Sequence, residues 1–173
     1  HAPFPKSQEG EQSIAQPSVS FLVCIIGLWA FVHRWLTMKI MYVHGFGSLF
    51  DPESEKIQTL SKLGEVNGIS VDWSKPEAAL LDIMEFAQSY EPDLVVGTSM
   101  GGWGASYVAP TVAAPFVAIN PAIDPANTLR KYLGEGIDHV GRRYTLVEED
   151  IAMLPTLNEK GCAMILLDMG DQV

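Results

Sequence analysis

The stretch Leu94-Val95-Val96-Gly97-Thr98-Ser99-Met100-Gly101-Gly102-Trp103-Gly104-Ala105 decides how this chain reads. An apolar run enters a G-x-S-x-G pentapeptide and leaves it through small residues, which is the order of a buried strand, a sharp turn and a helix. A serine on such a turn sits in strained backbone with its hydroxyl raised above the sheet, and Gly97 and Gly101 keep side chains out of the crowded space beside it. Ser99 is therefore the candidate nucleophile. At the start of the following helix, the Met100 N–H and the positive end of the helix dipole face the place where an oxyanion would form.

Working outward, Met38-Lys39-Ile40-Met41-Tyr42-Val43 reads as another strand and runs into His44-Gly45-Phe46-Gly47. The two glycines let this turn approach the elbow, which makes the Phe46 N–H the second expected oxyanion donor. Removing one such donor costs roughly 3–4 kcal/mol of barrier. His44 and Gly45 are expected beside the site, with the His44 side chain fixing the turn rather than reaching Ser99. Phe46, Phe50, Met100 and Trp103 gather around the two turns, available to line an acyl pocket or to pack helix against sheet.

Asp51-Pro52-Glu53 has the features of a helix start, and a helix is expected over residues 52–63, with Ile57, Leu60 and Leu63 on one side and Gly64 ending it. A short strand is expected over residues 69–73. Ser74 and Glu77 then have capping-box spacing before Leu80, Ile83, Met84 and Ala87 at helical intervals. Phe116-Val117-Ala118-Ile119 reads as a buried strand ending at Asn120-Pro121, and residues 162–168 as the last strand, apolar enough for a central parallel position. Strands alternating with helices imply an α/β architecture, a parallel sheet with helices on both faces. Over residues 122–155 the periodicity weakens, and Gly134, Gly136 and Gly141 interrupt any long element. That segment reads either as a lid-like insertion over the site or as an ordinary loop with a helix or two.

A serine hydroxyl needs a base, and in this architecture the chain order is Ser, acid, His. Asp171, just past the last strand, is the expected acid, with Asp168 and Asp124 as alternatives. Of the four His residues, His1 and His33 precede the first strand, His44 lies in the glycine turn and His139 in the insertion. None follows Asp171, so the general base is expected beyond residue 173, and the chain as it stands is expected to be inactive.

With 173 residues and 47% hydrophobic content, the chain suffices for one domain with a proper core. A net charge of −10 argues against nucleic acid or an anionic membrane as partner. Cys24 and Cys162 fall in different apolar segments, which suits reduced thiols and a cytoplasmic setting. No metal and no organic cofactor is expected. Residues 19–32 are almost wholly apolar but shorter than the ~20 residues of a membrane span. They read as a signal-peptide core, as a signal anchor, which would bring a membrane partner, or as part of an upstream stretch, residues 1–37, with Met38 the true start. The chain reads as cut at both ends.

On M-K-I-M-Y-V-H-G-F-G-S at residues 38–48, G-T-S-M-G-G-W at 97–103, A-I-N-P at 118–121 and G-D-Q-V at 170–173, the chain resembles the small YqiA/UPF0227-type esterases of the α/β-hydrolase superfamily. The resemblance implies an α/β-hydrolase-type parallel sheet over residues 38–173, incomplete at the C-terminal end. It also implies a serine hydrolase acting on a small carboxylic ester or thioester through an acyl-serine. Ser99 would be the nucleophile, Asp171 the acid, and the Phe46 and Met100 N–H groups the oxyanion hole. From their places in and beside these turns, His44, Gly45, Trp103 and Asn120 are expected to line the site. The alternative is a noncatalytic α/β-hydrolase-fold protein that binds a ligand or partner, having no base.

Overall fold

The apolar runs on either side of the elbow form the middle of one sheet. The computed structural model describes residues 38–158, 160, 161 and 163–167. In chain order the elements are β1 (Lys39–Val43), α1 (Glu55–Leu60), β2 (Glu65–Asn67), α2 (Pro76–Tyr90), β3 (Leu94–Thr98), α3 (Met100–Val108), β4 (Phe116–Ile119), α4 (Pro125–Leu129), β5 (Gly134–Ile137), β6 (Arg143–Leu146), α5 (Glu148–Ile151) and β7 (Ala163–Leu166). Five strands lie in the order β2-β1-β3-β4-β7, every neighbouring pair parallel. This is the parallel α/β architecture expected from the alternation of elements. β5 and β6 form a separate antiparallel hairpin.

The three inner strands are apolar apart from Lys39 and Thr98 at strand ends, because both faces of the sheet are covered. Met41, Val43, Val95, Phe116 and Ala118 face a core closed by Ala79, Ile83 and Ala87 of α2 and by Met100, Trp103, Ala105 and Val108 of α3. Ile40, Tyr42 and Val96 face the other side, where Ile57 of α1 covers them. In register, Val43 stands beside Gly97 and Gly97 beside Ala118, so the turns leaving β1, β3 and β4 emerge side by side at one end of the sheet.

Several local expectations give way to longer-range contacts. The first helix is Glu55–Leu60 rather than residues 52–63. Asp51 spends its carboxylate on the Glu53 N–H, and Ser54 rather than Asp51 is the N-cap. The short strand falls at Glu65–Asn67, not at 69–73, because the Val71 N–H is taken by the His44 ring instead of a neighbouring strand. No capping box forms at Ser74. Its N–H goes to Asp72 Oδ1, and α2 begins at Pro76 behind Lys75, which makes no side-chain cap. β7 lies at the edge of the described sheet rather than at its centre, with Met164 and Leu166 exposed.

Within residues 122–155 the structure has two short α-helices, a 3-10 turn at Arg130–Tyr132 and the β5–β6 hairpin. The chain that follows is stitched to α3. Trp103 Nε1–H donates to Pro155 O at 2.9 Å, and the Asn158 side-chain amide donates to Ser106 O at 3.1 Å.

Truncating the α2 anchor Ile83→Ala, which is 1% exposed, should destabilise the protein by about 2–5 kcal/mol. Leu81→Ala, on the solvent side at 66% exposure, should cost less than about 0.5 kcal/mol. Urea unfolding midpoints of the two variants check both values.

Candidate active site

Ser99 links β3 to α3 with φ 54° and ψ −120°, backbone that a residue bearing a side chain occupies at a cost of about 1–3 kcal/mol. Hydrogen bonds hold it there. The Ser99 N–H donates to Ile119 O at 3.0 Å, and Ser99 O accepts from Gly102 N (2.9 Å), Trp103 N (3.2 Å) and Ala122 N (3.1 Å). The elbow is thus tied to the end of β4 as well as to its own helix. A β-carbon on Gly97 would collide with the Gly101 carbonyl, and one on Gly101 would strike the carbonyls of Val43 and His44. These are the close approaches for which the two glycines are required.

The second turn lies against the first. A β-carbon on Gly45 would stand 3.2 Å from Ser99 Cβ and 3.8 Å from its hydroxyl oxygen. Tyr42 O–H donates to Thr98 Oγ1 at 3.0 Å, a further tie between the ends of β1 and β3. Among the described residues neither the Phe46 nor the Met100 N–H donates a hydrogen bond. Ser99 is half-buried, so its hydroxyl can be reached.

His44 is buried and fully engaged. Its Nε2 accepts the Val71 N–H at 2.9 Å, which places the ring proton on Nδ1, where it faces Gly45 O at 2.8 Å. Its carbonyl accepts the Trp73 indole N–H at 2.8 Å. Burial, aided by the nearby Arg142 charge and opposed by the Gly45 contact, holds the ring's pKa below its ordinary value. Neutral and with both nitrogens occupied, His44 braces the turn and is not a base for Ser99.

The remaining candidates separate. The Met100 side chain is buried in the core. Trp103 is 1% exposed and packs edge-on against Trp73, with centroids 6.1 Å apart, so it offers no face to a ligand in the site it was expected to line. Phe50 packs with the α1 side of the sheet. Asn120 adopts φ 42° directly after β4, and its N–H donates to Leu166 O at 2.8 Å. Asp124, one alternative acid, caps α4 by accepting the Asn127 N–H at 3.1 Å. His139 is exposed in the hairpin turn, its ring against Gly47. Asp168 and Asp171 lie outside the described residues, as do His1, His33, Cys24, Cys162 and the apolar stretch 19–32.

Sequence reasoning missed two parts of this region. One is the lock of His44 by Val71 and Trp73. The other is a pair of aromatic rings from the 122–155 segment on the Phe46 side chain, Tyr132 stacked at 4.7 Å and Tyr144 edge-on at 5.2 Å. Among the described residues no group of three or more His, Cys, Asp or Glu is placed to hold a metal, and no helix is long and apolar enough to cross a membrane.

A family described as an uncharacterised protein family, UPF0227, matches residues 39–173. Among solved structures, maleylacetate reductase from Agrobacterium tumefaciens aligns at 13% identity over 87% of this chain and 39% of that one, TM-score 0.39. A probable glycerol dehydrogenase from Sinorhizobium meliloti 1021 aligns at 14% identity over 83% and 36%, TM-score 0.39. The chain spans well under half the length of either, and a TM-score of 0.39 is too low to transfer a fold or a function.

The His44 network has a pH signature. A histidine whose folded pKa is depressed contributes stability in full above its unfolded value of 6.5, and loses it as the pH falls below 6.5 through the folded value. Unfolding midpoints measured between about pH 7 and pH 5 should fall with acidification. The fall should be shallower in His44→Gln, which has no titrating ring.

Proposed function

Because this chain belongs to the uncharacterised protein family UPF0227 over residues 39–173, and sets a strained serine against a glycine turn, we propose that it is a serine hydrolase of the α/β-hydrolase type. Its substrates in this reading are carboxylic esters or thioesters of modest size, cleaved through an acyl-serine with no metal or organic cofactor. The observation that carries the reading is the Ser99 backbone at φ 54° and ψ −120°, at the N-terminus of α3 and directly beside Gly45. A structural serine gains nothing from that conformation. A nucleophile gains exposure of its hydroxyl and two nearby amide donors.

The steps follow from the arrangement. Ser99 Oγ attacks the carbonyl carbon and gives its proton to a general base. The carbonyl oxygen takes up negative charge, received by the Phe46 and Met100 N–H groups. As the tetrahedral intermediate collapses, the bond to the alcohol or thiol breaks and that group leaves with the proton, with the acyl group on Ser99. Water, deprotonated by the same base, then attacks the acyl carbon and releases the acid and free Ser99. Asp171 is the proposed acid that orients the base. The base in this reading is a histidine outside the described residues, since His44 is fully engaged and His139 comes before the acid in a chain order of Ser, acid, His. A cytoplasmic location with reduced Cys24 and Cys162 belongs to the same proposal.

The test is hydrolysis of p-nitrophenyl acetate and butyrate by the full-length natural protein. Ser99→Ala is expected to lower kcat by about 10³-fold or more with the fold intact. Turnover unchanged by Ser99→Ala would overturn the assignment. Saturable ligand binding without turnover in the parent would favour the noncatalytic alternative.

A further inference from the structure

We infer that Tyr132 and Tyr144 are positioning residues, which set the location of the Phe46 N–H by gripping the Phe46 ring from the β5–β6 side. The role given to that N–H rests on the hydrolase reading; the grip itself does not.

Several contacts run from one hairpin region to one four-residue turn. The Phe46 ring stacks on Tyr132 with centroids 4.7 Å apart and planes at 22°, and meets Tyr144 edge-on at 5.2 Å and 83°. Next along the turn, a β-carbon on Gly47 would lie 3.3 Å from both Asp138 Cβ and His139 Cδ2, so the hairpin tip rests on the turn's backbone. One residue further, Arg142 Nη2–H donates to Ser48 O at 3.3 Å. The tip is itself tied down. Asp138 accepts the Arg142 N–H at 2.7 Å, the Val140 N–H at 3.0 Å and the Arg142 Nε–H at 2.8 Å. Paired aromatic rings contribute beyond the area they bury. The His44 lock fixes the other end of the turn, so Phe46 lies between a polar anchor and an aromatic one.

A sequence device places Tyr144. In the hairpin register Tyr144 stands opposite Gly136, and a β-carbon on Gly136 would come within 2.5 Å of the tyrosine Cζ and hydroxyl oxygen. The ring lies over the glycine and would be displaced by any side chain there. Gly136 is thus a control of the grip that acts through the Tyr144 ring.

Three readouts test this in the full-length protein. In Tyr144→Ala and Gly136→Val, hydrogen exchange of the Ser48 amide, which closes the turn on Gly45 O at 3.3 Å, should quicken about tenfold or more, and in Tyr144→Phe it should stay at the parent rate. With p-nitrophenyl butyrate, the first two variants should lose about ten- to a hundredfold in kcat while KM moves less than about twofold. Affinity for trifluoroacetone, whose hemiketal adduct with Ser99 carries the oxyanion, should fall in parallel. If Tyr144→Ala does not fold, Tyr132→Leu and Gly136→Val carry the same expectations. Parent-like exchange in the folded variants overturns the grip. Quickened exchange with unchanged kcat overturns the oxyanion role alone. Turnover indifferent to Ser99→Ala overturns the hydrolase reading, and the exchange result still decides the grip.

Discussion

The site depends on the approach of Gly101 to the carbonyl oxygens of Val43 and His44. That contact brings the first turn of α3 onto the end of β1 with no side chain between them. It puts the Ser99 hydroxyl beside Gly45, and it brings the amide groups of two separate turns to one end of the sheet. Packing two backbones this closely leaves many polar groups to be satisfied. The structure meets that demand with Ser99 O accepting three N–H groups and with the His44 carbonyl accepting the Trp73 indole.

The sheet and the turns divide the work. The inner strands are buried on both faces, so their positions are overdetermined by α1 on one side and by α2 and α3 on the other. The turns, with Met100 in the core and Phe46 against it, have a second kind of support. Each is held by a few specific bonds, and the bonds come from far along the chain: Val71 to His44, Ala122 to Ser99, Arg142 to Ser48. A rigid platform carrying individually braced loops is a common way to hold reactive groups to within a fraction of an ångström.

What was legible in the sequence follows the same division. Continuous apolar runs and the glycine-serine spacing are local signals, so β1, β3, β4 and the elbow could be read directly. β2 could not. Its Glu65-Val66-Asn67 has one apolar residue, and it pairs only because it lies along the edge of β1. Residues 69–73 look more strand-like, yet the Val71 N–H is drawn to a histidine ring 27 positions away, a bond that leaves no periodic trace. Gly134-Glu135-Gly136 reads as a breaker and forms a strand all the same, because Tyr144 covers the glycine opposite it. Trp103 sits among the motif residues in sequence but points into the core in space. A motif identifies which backbone turns sharply, not which way the neighbouring side chains leave it.

The backbone of Ser99 sets two demands against each other. Glycine would occupy φ 54° and ψ −120° without strain, so the folded state would be more secure with no hydroxyl at position 99. The bonds from Gly102, Trp103 and Ala122 to Ser99 O therefore hold the chain against an opposing torsional preference, so that position 99 is a loaded turn rather than a relaxed one.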